Sequence, residues 1–121
     1  MQMVPLFRCS NMRRAITFYT TVLDFEMKEP GASAEDLVVI LSNGDAALML
    51  SVFDGLMGNV ANVYVQNVDE LFAKYVSRGL NTSGKENSPV HQAPINQTWG
   101  NREFYVTDAD GNTLRFCQPL K

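Results

Sequence analysis

The chain has 121 residues, 45% of them apolar and 19% charged, the mixture of one globular domain with a core of its own. A formal charge of −3, with Lys and Arg dispersed, gives no general pull towards nucleic acid. The longest apolar run, 37–41, is strand-sized, and the N-terminus shows no export signal, so a cytoplasmic protein with neither nucleic-acid nor membrane partners is expected.

In chain order, residues 4–9 read as a short strand, and Asn11 is placed to cap a helix carrying Met12, Ala15, Ile16, Tyr19 and Leu23 at helical spacing. Residues 25–28 form a second expected strand and 29–33 a loop. Strands at 37–42 and 46–52 flank Asn43-Gly44-Asp45, a strong hairpin signal. The second half repeats this order. Residues 60–66 are a strand, Asn67 a cap, Val68, Leu71, Phe72, Tyr75 and Val76 a helical stripe, and Gly79 a helix stop. A weak strand at 81–86 and a loop at 87–98 precede strands at 103–107 and 113–118. Val4 and Val60, Asn11 and Asn67, and Tyr19 and Tyr75 share one offset of 56 positions.

The repeat predicts an α+β fold of two βαβββ modules with curved mixed sheets, about 1–55 and 58–121, within a single domain at 1–121. Period-2 alternation sends Leu48, Leu50, Leu114 and Phe116 towards the helices. It leaves Ala47, Met49, Ser51, Thr113, Arg115 and Cys117 on concave faces that would enclose a ligand cleft. Open sheet edges favour a homodimer. Cys9 and Cys117 read as small buried hydrophobes.

The run Phe18-Tyr19-Thr20-Thr21-Val22-Leu23-Asp24-Phe25 resembles the FY…vLGF element of the vicinal oxygen chelate superfamily. Trp99-Gly100-Asn101-Arg102-Glu103-Phe104, followed by Asp108-Ala109-Asp110-Gly111-Asn112, is similar to the WG-x-REF…DPDGN element of its bleomycin-resistance branch. The resemblance covers essentially the whole chain and implies paired βαβββ modules. Catalytic relatives hold a divalent metal through His and Glu on four strands. Carried over, those positions fall on Val4, Met49, Val60 and Arg115, none of them an oxygen or imidazole ligand. No metal, no cofactor and no catalytic residue is therefore expected.

The expected activity is capture of a small, partly aromatic, charged molecule. Trp99 would stack on it, Arg115, Arg8 and Arg102 would meet an anionic end, Tyr64 and Asn62 would orient it, and Met49 and Phe53 would wall it. Each has a plainer reading. The arginines could pair with Glu103, Asp45 or a partner-chain acid, and the aromatics could simply pack. His91, the only histidine, reads as a loop residue with no recognisable catalytic partner. Asp108, Asp110 and Asn112 read as a tight turn, since the distal Glu of a calcium loop is missing. Two other classes remain open: a metal-independent enzyme using Glu103, Tyr64 or His91, and an interaction module with no small-molecule ligand.

Overall fold

A computed structural model describes residues 1–83 and 93–121. In chain order the elements are β1 (Leu6–Arg8), α1 (Met12–Thr17, continued by a π-helical turn at Phe18–Val22), β2 (Glu26–Met27), β3 (Val38–Asn43) and β4 (Ala46–Ser51). They are followed by β5 (Val60–Tyr64), α2 (Val68–Ser77), β6 (Ile95–Asn96), β7 (Asn101–Thr107) and β8 (Thr113–Pro119). Two four-stranded mixed sheets result, β1-β4-β3-β2 and β5-β8-β7-β6, so the expected βαβββ order occurs twice. The chain divides into two compact units, residues 1–59 with 108–112, and residues 60–107 with 113–121. Among the described residues no helix is long and apolar enough to cross a membrane.

The first unit begins its helix where Asn11, in extended backbone, accepts the Arg14 N–H at 3.0 Å and so satisfies one of the donors left open by a helix start. Met12, Ala15 and Tyr19 are the buried side of that helix, and Tyr19 meets Phe25 edge to face at 5.9 Å. The expected helix is regular to Leu23, but the structure widens its last turn into a π turn closed by the Leu23 N–H to the Phe18 carbonyl. Its residues Thr20 and Thr21 bond back to the carbonyls of Ile16 and Thr17, which competes with regular helix bonding. β1 runs parallel to β4 with Leu6 opposite Met49, and β3 runs antiparallel with Ile40 opposite Met49. Val39, Leu41, Leu48 and Leu50 are buried on one face, as alternation required. The β3–β4 hairpin closes on Gly44 and Asp45 with Asn43 still paired, and Gly44 takes the left-handed backbone that the tight turn needs.

In the second unit Asn67 caps α2 by accepting the Glu70 N–H at 3.0 Å, and Gln118 of β8 accepts the Val68 N–H at 3.0 Å. The helix ends in a Schellman motif. Leu80 N–H reaches the Tyr75 carbonyl and Gly79 N–H the Val76 carbonyl, with Gly79 at φ +98°. Phe104 and Phe116 stack at 5.0 Å beneath Tyr75, and Phe72 also meets Phe104. These contacts put Phe104, Val106, Leu114 and Phe116 on the α2 side of the sheet. The segment at 87–98, expected to be all loop, contains β6, whose Ile95 pairs with Glu103 as β2 pairs with β3 in the first unit. A two-residue edge strand beside Pro94 carries too short a pattern to stand out in sequence. The strand expected at 81–86 is not formed at 81–83, and the rest of it, with His91, lies outside the described residues.

Candidate functional site

Because side chains alternate along a strand, the face of the second sheet turned away from α2 is made by Val60, Asn62 and Tyr64 of β5, Thr113, Arg115 and Cys117 of β8, and the odd-numbered residues of β7. Register then brings them together. Asn62 lies opposite Arg115, which lies opposite Tyr105, while Tyr64 lies opposite Cys117, which lies opposite Glu103. Tyr64 is 63% exposed and Trp99 56%, whereas Glu103 between them is only 1% exposed.

A buried carboxylate demands partners, and Glu103 has four. Its Oε2 accepts the Trp99 Nε1–H at 2.9 Å and the Asn101 amide at 3.0 Å. Its Oε1 accepts the Tyr105 hydroxyl at 3.2 Å and Arg115 Nη2 at 3.4 Å. The Arg115 guanidinium lies 4.8 Å from the Tyr105 ring centroid and 5.9 Å from that of Trp99, so it stacks as well as pairs. Its Nε is buried and donates to nothing among the described residues.

Burial alone would push the Glu103 carboxyl up, but bonds from Trp99 and Asn101 and the charge of Arg115 outweigh it and hold the group below its ordinary range. Burial, and then the Glu103 carboxylate, push the Cys117 thiol up to about 12. Burial also raises the Tyr105 phenol. A saturated carboxylate and two groups that keep their protons make a poor acid–base set. The site is fit for contact more than for chemistry.

Arg102 falls outside it. Arg102 shares strand parity with Phe104 and Val106, and it is held bidentately by Asp69 of α2 at 2.9 Å for each bond, with Asn96 at 3.1 Å. Met49, Arg8 and Phe53 belong to the first unit. Met49 and Arg8 share the sheet face turned away from α1, Arg8 Nη1 donates to the Gly55 carbonyl at 3.4 Å, and Phe53 stands exposed just after β4. The positions onto which the sequence resemblance carries the metal ligands hold hydrocarbon at Val4 and Val60, a thioether at Met49 and a cation at Arg115. Glu103, the carboxylate beside Arg115, is already committed. This donor set does not fit a catalytic divalent ion. Among the described residues no cluster of three His, Cys, Asp or Glu could hold one.

Sequence reasoning treated Glu103 as an ion-pair partner or a base and passed over Asn101 and Tyr105. The signal was present in the i, i+2 spacing of 101, 103 and 105 along one strand, the same parity that excludes Arg102. The turn at 108–112 forms as expected. Asp108 accepts the Tyr19 hydroxyl at 2.7 Å and the N–H groups of Asp110 and Asn112, and Asp110 accepts from Ser10.

A family model described as Glyoxalase/Bleomycin resistance protein/Dioxygenase superfamily matches residues 4–116. Among solved structures, a bleomycin-binding protein complexed with bleomycin is similar, with TM-score 0.77, 23% identity and 98% of each chain covered. A bleomycin resistance determinant encoded on the transposon Tn5 gives TM-score 0.78 at 23% identity over 98% of each chain. A bleomycin-binding protein from Streptomyces verticillus complexed with copper(II)-bleomycin gives 0.76 at 19% identity, over 98% of this chain and 95% of that one. At such identities these are likenesses of fold. No curated protein matches the chain.

Proposed function

Since the chain belongs to the Glyoxalase/Bleomycin resistance protein/Dioxygenase superfamily, we propose that it is a binding protein that captures a small, partly flat organic molecule without transforming it. The observation that carries this reading is the exposed Trp99 and Tyr64 set around a guanidinium whose charge Glu103 already balances. A planar ring system gains stacking contact there, and no side chain of the face is primed to attack it. Bleomycin, bound by two of the fold's similar structures, is the first ligand to test.

Asn62 is proposed as a polar contact beside Arg115 on the same face. Binding needs no metal, because the donor chemistry offers none a place. We also propose a homodimer in the cytoplasm. Phe53, Leu56 and Met57 form an exposed apolar segment suited to a second copy, and the buried free thiols of Cys9 and Cys117 suit a reducing compartment.

Trp99 is the only tryptophan, so its emission reports on this face alone. Titration with bleomycin should quench it saturably with one ligand per chain, and mass spectrometry should recover the ligand unchanged. Turnover of the ligand, or quenching that never saturates, rules the reading out. Trp99→Ala should weaken binding by about 2 kcal/mol, roughly 30-fold, as loss of a stacking anchor does.

A further inference from the structure

We propose that Glu103 is the positioning residue of this face, fixing Trp99 and Arg115 in the arrangement a flat ligand meets. What the arrangement serves rests on the binding reading above, whereas the arrangement itself rests on geometry.

An exposed indole on a turn has several rotamers open to it, and a long Arg side chain has many more. Trp99 lies in the turn before β7, which closes through Gln97 N–H to the Asn101 carbonyl at 2.7 Å and contains Gly100 at φ +93°. The one side-chain hydrogen bond that Trp99 makes among the described residues runs to Glu103. Glu103 is immobile for independent reasons: it is buried in the middle of the sheet, paired with Cys117 on one side and Ile95 on the other. Its two oxygens divide the work. Oε2 takes the indole N–H, with Asn101 bonded to the same atom, and Oε1 takes Arg115 and Tyr105. One carboxylate therefore ties the turn aromatic to the strand cation. The guanidinium is bonded to Glu103 through Nη2 and lies over the Tyr105 ring at 4.8 Å and over the Trp99 ring at 5.9 Å. A ligand meets a preset surface and need not order two side chains on arrival, which lowers the entropic cost of binding.

The test reads Trp99 before any ligand is added. In the wild-type protein the indole N–H should exchange with solvent at least about tenfold more slowly than a free indole, as a hydrogen-bonded donor does. Glu103→Leu removes the acceptor, and Glu103→Gln keeps an oxygen for the indole while leaving Arg115 without a counter-charge. The Leu variant should lose the near-ultraviolet circular dichroism of Trp99 and bind bleomycin about tenfold more weakly, whereas the Gln variant should keep most of the indole signature. A folded Glu103→Leu protein with the wild-type Trp99 signature overturns the proposal. Should that variant fail to fold, an indole exchanging at the free rate in the wild type overturns it as well. The two readings separate cleanly. If the indole is protected and its signature depends on Glu103 but bleomycin does not bind, positioning stands and the ligand assignment falls. If wild type and a folded Glu103→Leu that keeps the wild-type Trp99 signature bind bleomycin equally, capture stands and positioning falls.

Discussion

Asp108 and Glu103 solve the same problem in different units: each is a carboxylate surrounded by donors from its own neighbourhood. Asp108 gathers the Tyr19 hydroxyl, two backbone N–H groups and the Asn112 amide. Asn112, fully buried, passes the connection on by donating to the Arg8 carbonyl and accepting the Asn59 N–H. Tyr19→Phe deletes one bond to a charged acceptor and should cost about 1–2 kcal/mol in chemical denaturation. Asn112→Ala strands several buried groups and should cost more, about 3 kcal/mol. Burial first, and then Asp108, push the Tyr19 phenol well above its ordinary value of 10.0. The unfolded chain therefore loses that proton near pH 10 while the folded chain keeps it, so this contribution is present below pH 10 and is lost as pH rises beyond it. Glu103 has the opposite sign. Its carboxyl is depressed below 4.5, so its contribution is complete above that value and disappears as pH falls through the folded-state range. Stability curves of Tyr19→Phe and Glu103→Gln against pH should flatten at the alkaline and acid ends respectively.

At the scale of elements, the two helices owe their limits to single residues. Asn67→Ala removes the α2 cap and should cost about 1 kcal/mol, read as a lower thermal midpoint, with Asn67→Ser restoring most of it. Gly79→Ala isolates a purely backbone effect. A Cβ there meets nothing within 4 Å, yet φ +98° disfavours any L side chain, so about 1 kcal/mol should be lost without a steric clash. Helix stripes, caps, the Gly79 stop and the alternation of four strands were all legible, because each is written in residues two to four apart. The π turn was not, since a single widened turn of five residues is too short to show a period of its own. Strand β6 was not either, because two residues carry no period.

At the scale of the whole molecule, no cluster of three His, Cys, Asp or Glu among the described residues could hold a metal, and the first of three expectations follows from that. A strong chelator should leave both the melting temperature and bleomycin quenching unchanged, and a stoichiometric divalent ion in purified protein would contradict the donor set described. Saturating bleomycin should raise the melting temperature in proportion to the logarithm of its excess over Kd, as any ligand selective for the folded state does. Sedimentation at micromolar concentration should give the mass of two chains.

The sequence by itself determined the doubled βαβββ order, the caps at Asn11 and Asn67, and the side of each strand that goes to the helix. All of these follow from local period or from residue identity. Only the tertiary structure decided which arginine stands free of the helix, that Asp69 takes Arg102, and that Trp99, Asn101, Tyr105 and Arg115 converge on one carboxylate. Parity pointed to the first of these, but strand register and turn closure choose partners far apart in the chain. Those choices are set by how whole sheets pair, a property no short window of residues contains.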